Sequence, residues 1–164
     1  MHARDIRNGI QSIAMVHWER RLFDSLIPLP DGTSYNAYVV KGRDATALID
    51  SADPVLQDEL MEQLRNVPRI DYVVSQHSEQ DHSGTIPLVL EQFPDAKLVC
   101  SDKAESLLTT HLGVSEDRLV TAEDGQTIPL GGKTLQFVHT PWVHWPETMC
   151  TYIPEDKCLF TCDF

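Results

Sequence analysis

Residues 77–82 contain His77, Glu79, Asp81 and His82, four side chains able to donate nitrogen or oxygen to a metal ion. They follow an apolar run, Ile70, Asp71, Tyr72, Val73 and Val74, that reads as a strand. Alternate side chains of an extended segment share a face, so His77, Glu79 and Asp81 are expected to converge on one point. His82 reaches that point only if the backbone turns, and Ser83 and Gly84 read as the turn. Metal ions need deprotonated donors held close together, whereas acids crowded on a surface without a cation repel each other. The plain alternative is a polar loop capping the next helix, which has no need of two histidines and two acids in this pattern.

Two more candidate donors stand at the ends of later strands. His144 lies in the run Thr140, Pro141, Trp142, Val143, His144, Trp145, Pro146, where prolines stiffen the loop and tryptophans are expected to exclude water. Both effects favour metal binding, although by itself the loop reads equally well as aromatic packing with an incidental imidazole. Asp163 follows the strand-like run 158–162 and is either a turn former or a donor into a cleft at the carboxyl edge of a sheet. Of the other histidines, His2 is expected to be disordered, His17 to end a strand and His111 to lie on a helix face. His139 is read as a packing or supporting residue. Cys100, Cys150, Cys158 and Cys162 form no Cys-x-x-Cys pair and read as reduced, structural residues.

The elements that must hold these donors alternate along the chain. Strands are expected over residues 10–16, 35–41 and 45–49. Asp53 then caps a helix with Pro54 at its first position and Leu56, Leu60, Leu64 and Val67 on one face. A strand over 70–74 precedes the donor cluster. Ile86, Val89, Leu90 and Phe93 mark the next helix, 97–100 the next strand, and Ser101 to Gly113 a third helix. Short strands follow around 118–121, 134–139, 149–153 and 158–162. A meander, then alternating strands and helices, then a second meander predict an α/β arrangement of stacked sheets with helices outside.

Composition sets the outer bounds. The chain has 164 residues, enough for one core, with 41% hydrophobic and 23% charged residues. A net charge of −12 speaks against binding to nucleic acid or an anionic membrane surface. No apolar stretch is long enough to span a bilayer and no signal peptide is evident, so a cytoplasmic location is expected.

The run from Gln76 to Pro87 resembles the metal signature of the metallo-β-lactamase-like fold, in the variant where Glu79 replaces a histidine of the zinc hydrolases. With Gly32, Thr33, Ser34, Tyr35, Asn36 early in the chain, the residues around His144, and Leu159 to Asp163, it resembles the flavodiiron proteins along nearly its whole length. The resemblance implies a metallo-β-lactamase-like αββα sandwich, incomplete at the carboxyl end. It further implies one iron on His77, Glu79 and His144, a second on Asp81 and His82, and Asp163 bridging the two. The implied activity is reduction of dioxygen to water or of nitric oxide to nitrous oxide. Electrons would come from FMN in a flavodoxin-like domain or from a rubredoxin, and a head-to-tail homodimer is expected. No segment of this sequence resembles an FMN site, so residues 1–164 are expected to form a diiron domain alone. The family's further histidine for the second iron would lie beyond Phe164.

Three rival readings stand beside this one. A zinc hydrolase of the same fold would use a metal-bound hydroxide, and Glu79 speaks against it. A sensor would hold dioxygen without reducing it. A copy without activity would serve only in assembly, which fits poorly with a full set of six donors.

Overall fold

The computed structural model describes residues 3–164, so the expectation for His2 lies outside the described residues. The chain opens with β1 (Arg4–Arg7) and β2 (Ile10–His17), a small ribbon of β3 (Leu22–Phe23) and β4 (Ile27–Pro28), then β5 (Thr33–Lys41) and β6 (Thr46–Ile49). Helices then alternate with strands: α1 (Gln57–Leu64), β7 (Tyr72–Val74), α2 (Gln80–Ser83), α3 (Ile86–Gln92), β8 (Lys97–Cys100), α4 (Asp102–Leu112) and β9 (Leu119–Thr121). A meander closes it, made of β10 (Thr127–Pro129), β11 (Thr134–His139), β12 (Met149–Ile153) and β13 (Cys158–Phe160).

Seven strands form one mixed sheet in the order β1-β2-β5-β6-β7-β8-β9, antiparallel up to β6 and parallel from β6 to β9. The meander forms a second, antiparallel sheet. Strands β6, β7 and β8 are apolar at consecutive positions because both of their faces are covered. Leu48, Val73 and Leu98 point to one side, where they meet Leu60 and Leu64 of α1, Ile86 and Val89 of α3, and Leu108 of α4. Ala47, Ile49, Val74 and Val99 point to the other side, towards Leu135, Phe137, Met149, Ile153 and Phe160 of the second sheet. The result is three layers, helices on sheet on sheet. Among the described residues no helix covers the outer face of the four-stranded sheet, where Leu159 is 52% exposed.

The expected elements form, with shifted ends. Asp53 caps a single 3-10 turn, Pro54–Leu56, by accepting from the Val55 N–H, and α1 proper follows it. The ladder of β7 begins at Tyr72, although Ile70 is already buried. Strand β13 stops at Phe160 rather than residue 162, because Cys162 takes a left-handed φ of 44°. Strands β1, β3, β4 and β10 escape the sequence reading: they are short, and β1 has no buried residue to give it alternation. The four cysteines are free, as expected.

The two sheets meet at the β5–β6 turn. The N–H groups of Asp44 and Ala45 both donate to the Leu130 carbonyl, and Arg43 N–H donates to Gly131. A Cβ on Gly42 would stand 1.8 Å from the Leu130 oxygen, so no side chain fits there. Gly42→Ala is therefore expected to destabilise the fold by about 1–3 kcal/mol or more through overpacking. Phe137→Ala, which empties the space between the sheets, is expected to cost about 3–5 kcal/mol. Urea unfolding followed by circular dichroism measures both.

Candidate metal centre

All six donors lie at the edge of the molecule where the parallel strands end, the edge at which open α/β sheets form their crevices. Strand β6 ends in Asp50, which is buried with a left-handed φ of 55°. Its carboxylate accepts from the Gln76 N–H and from Gln76 Nε2, both at 2.9 Å. The Gln76 carbonyl in turn accepts from Met149 N–H at 2.8 Å, which ties the start of β12 to the same point. Ser75 Oγ donates to the His77 carbonyl at 2.8 Å. The residue preceding His77 is thus fixed from three directions before the cluster begins.

The turn within the cluster comes earlier than Ser83 and Gly84, where the sequence suggested it. Glu79 is the last extended residue and the cap of α2, and its carbonyl accepts from His82 N–H at 3.0 Å and Ser83 N–H at 2.9 Å. Asp81 and His82 therefore stand on a helical turn instead of continuing an extended segment. The His82 carbonyl is held by both the N–H and the hydroxyl of Ser51 at 2.8 Å. Glu147 joins this segment to the His144 loop: its carboxylate accepts from Ser78 N–H at 3.0 Å, and its carbonyl accepts from Ser101 Oγ at 2.7 Å.

The structure brings all six predicted donors together. One group comprises His77, Glu79, His144 and Asp163, another His77, Asp81 and His82, and within each the donor atoms lie no more than 4.8 Å apart. His144 Nε2 is 2.8 Å from Glu79 Oε2, and His77 Nε2 is 3.6 Å from the same oxygen. His82 Nε2 is 3.3 Å from Asp163 Oδ1 and 4.0 Å from Asp81 Oδ2. Asp163 thus touches both groups, and His77 belongs to both. His77 Nε2 and Asp81 Oδ1 are buried without a hydrogen-bond partner, which is the condition of donors aimed at a shared cation. Three imidazoles and three carboxylates suit two first-row transition metal ions.

Burial sets the charge states. It opposes protonation of His77, whose pKa falls to about 3 with help from neighbouring His82, so both nitrogens cannot be protonated at neutral pH. Burial acts the same way on His82, but the hydrogen bond to Asp163 and the charges of Asp50, Asp163 and Asp81 outweigh it and push the pKa up to about 9. Desolvation raises Asp50 to about 6 against the pull of His82 and the two Gln76 hydrogen bonds. It also raises Asp81, whereas the His82 hydrogen bond holds Asp163 below the usual carboxylate range.

The aromatic surroundings differ in part from expectation. Trp145 is half-buried, with its ring centroid 6.2 Å from that of His77 and 6.3 Å from that of His144. Trp142 is 73% exposed with φ at 65°, so the turn aims it into solvent, and His144 is itself exposed. Only one tryptophan walls the site. On the other side Tyr35 sets its edge against the His82 ring, and Arg20 donates to both the Tyr35 hydroxyl and Asp53. A cavity of about 280 Å³ opens here beside Asp81, His82 and Asp163, with Phe23 and Tyr35 among its walls.

Asp50 and Glu147 are not among the residues the sequence points to, while Tyr35 enters there only within the Gly32–Asn36 run and Cys162 only as a structural cysteine. An acid directly after the apolar run Ala47, Leu48, Ile49 was the available signal for Asp50; the others become neighbours of the site only through the fold. His17 ends β2 as expected, and His111 is exposed on α4. His139 Nε2 pairs with the Ala122 carbonyl at 2.9 Å, a supporting role away from the donors.

Residues 33–164 match the family model described as ODP family beta lactamase. The chain is 36% identical over 168 residues to a coenzyme F420H(2) oxidase of Methanothermobacter marburgensis, covering 98% of this chain and 41% of the relative. It is 33% identical over 162 residues to a nitric oxide reductase of Moorella thermoacetica, covering 96% of this chain and 40% of the relative. Rubredoxin oxygen:oxidoreductase from Desulfovibrio gigas superposes with a TM-score of 0.89 at 30% identity, over 96% of this chain and 40% of that one. The flavodiiron protein of Giardia intestinalis gives a TM-score of 0.90 at 29% identity, over 98% and 40%. The chain thus spans about two fifths of the length of the relatives it matches. With its donors gathered where two stacked sheets end, and its relatives among the flavodiiron proteins, the chain belongs to the ODP beta-lactamase family, the metallo-β-lactamase-like diiron fold that the Gln76–Pro87 run suggested.

Proposed function

We propose that residues 1–164 form the diiron domain of an oxidoreductase that reduces dioxygen to water, nitric oxide to nitrous oxide, or both. His77, Glu79 and His144 would hold one ion, Asp81 and His82 the other, and Asp163 would serve both. The observation that carries this reading is the place of the carboxylates: Glu79 lies against His144, and Asp163, a member of the same group, also reaches His82 of the other. Three carboxylates favour a redox ion over zinc, because they stabilise its higher oxidation state. Iron bound by these residues would supply redox chemistry towards a small diatomic, and Asp163 is the carboxylate placed to serve both ions.

The chain's own residues do the rest. Asp50 and Glu147 fix the backbone on either side of His77, so the donors are set before any ligand arrives. Trp145 braces His77 and His144, while Phe23 and Tyr35 wall the cavity next to Asp81 and His82. The names of the relatives support both substrates, and that of the Desulfovibrio gigas protein supports a rubredoxin as reductant. Electrons arrive from FMN in a flavodoxin-like domain or from such a partner, and the assembly is a homodimer working in the cytoplasm. No helix among the described residues is long and apolar enough to cross a membrane.

Protein produced in iron-supplemented and in zinc-supplemented medium separates this function from hydrolysis: iron is expected to be retained in preference to zinc, as read by plasma mass spectrometry. Zinc retained under both conditions, together with thioester or phosphodiester cleavage, would establish the hydrolase. Glu79→Ala is expected to weaken iron binding by roughly 10-fold or more in a chelator competition. Asp163→Ala is expected to abolish magnetic coupling between the two ions, read by low-temperature Mössbauer spectroscopy, while leaving the circular dichroism spectrum of the fold unchanged.

A further inference from the structure

The two ring nitrogens of His77 face different surroundings. Nε2 points to Glu79 and has no hydrogen-bond partner, although the side chain is wholly buried. Nδ1 lies 3.4 Å from Cys162 Sγ. Cys162 reaches that position through its left-handed φ of 44°, directly after β13 ends and directly before Asp163. The preceding residue is also tied down, since Cys150 Sγ contacts the Thr161 carbonyl at 3.9 Å. A histidine that binds a metal through one nitrogen passes the hydrogen of the other to an acceptor, and that acceptor selects the tautomer and fixes the ring. Carboxylates and carbonyls are the usual acceptors. Here the only group within hydrogen-bonding distance of Nδ1 among the described residues is a sulfur.

We propose that Cys162 is a positioning residue for His77: its sulfur accepts the Nδ1–H bond and thereby turns the Nε2 lone pair towards the metal. This rests on the metal reading given above. Thiol sulfur is a weak acceptor, so it leaves the imidazole less electron-rich than a carboxylate would. Iron bound at His77 would accordingly have a higher reduction potential than an oxygen partner would give it. Cys162 also couples two donors, because the backbone strain that places its sulfur under His77 is the same turn that delivers Asp163 to His82.

The test combines nitrogen-15 NMR of the zinc-loaded protein with chelator competition and redox titration of the iron-loaded protein. In the wild type, His77 is expected to carry hydrogen on Nδ1 and metal on Nε2. Cys162→Ala is expected to lose about 10-fold in affinity at this site and to raise the midpoint potential, and Cys162→Ser, which supplies an oxygen acceptor, to restore part of the affinity and to return the potential to the wild-type value or below it. Metal on Nδ1, or wild-type affinity and potential in a folded Cys162→Ala protein, overturns the proposal while leaving the metal site itself intact. Failure of the wild type to bind either zinc or ferrous iron overturns the metal reading and this inference together. Should Cys162→Ala fail to fold, the tautomer of the wild type and the potential of Cys162→Ser decide the matter.

Discussion

Three carboxylates and three imidazoles packed into one edge of a folded domain form a cluster that needs positive charge to be stable. Charged groups withdrawn from water cost free energy unless an opposite charge or hydrogen bonds compensate them. The shifts follow from this: the same burial that drives Asp50 towards its neutral form is overridden at His82, where surrounding acids favour the cation. A proton on His82 is one source of the required charge, and metal ions are a stronger one. The clamps around the cluster, from Asp50 to Gln76, Ser51 to His82 and Glu147 to Ser78, keep the donors from relaxing apart.

That rigidity is built on ordinary sheet physics. The parallel strands β6, β7 and β8 are sealed on both faces, by helices on one side and by the meander on the other. Only their ends remain available for polar residues, so Asp50 and the segment from Ser75 to His82 emerge there together. The short helix α2 then reverses the chain within one turn, which lets two donors before it and two on it face a common centre. The second sheet brings His144 and Asp163 to the same edge, since its turns at the β11–β12 and β13 ends lie beside β7.

Much of this could be read in the residues themselves. The alternation of strand and helix, the buried faces of α1, α3 and α4, and the four donors of residues 77–82 are legible, because each depends on local periodicity or on residue types concentrated in a short run, whereas His144 and Asp163 join them only through the family resemblance. The bend was misplaced because Gln80–Ser83 carries no strong helix signal; it becomes helical through the capping role of Glu79 and the anchor from Ser51. Glu147 carries no signal in the sequence and Cys162 reads there only as a structural cysteine, because their partners, Ser78 and His77, lie far away along the chain. Trp142 departs for a different reason: two tryptophans flanking His144 predict a dry wall on both sides, but the left-handed turn at Trp142 exposes it.

His77, Glu79, Asp81 and His82 leave the ribosome well before His144 and Asp163, which lie 62 and 81 residues beyond His82. At synthesis rates of about 5–20 residues per second, the early four wait on the order of several seconds for their partners. The cluster is therefore completed only when the second sheet docks and delivers His144 and Asp163, which makes the whole centre a late product of folding.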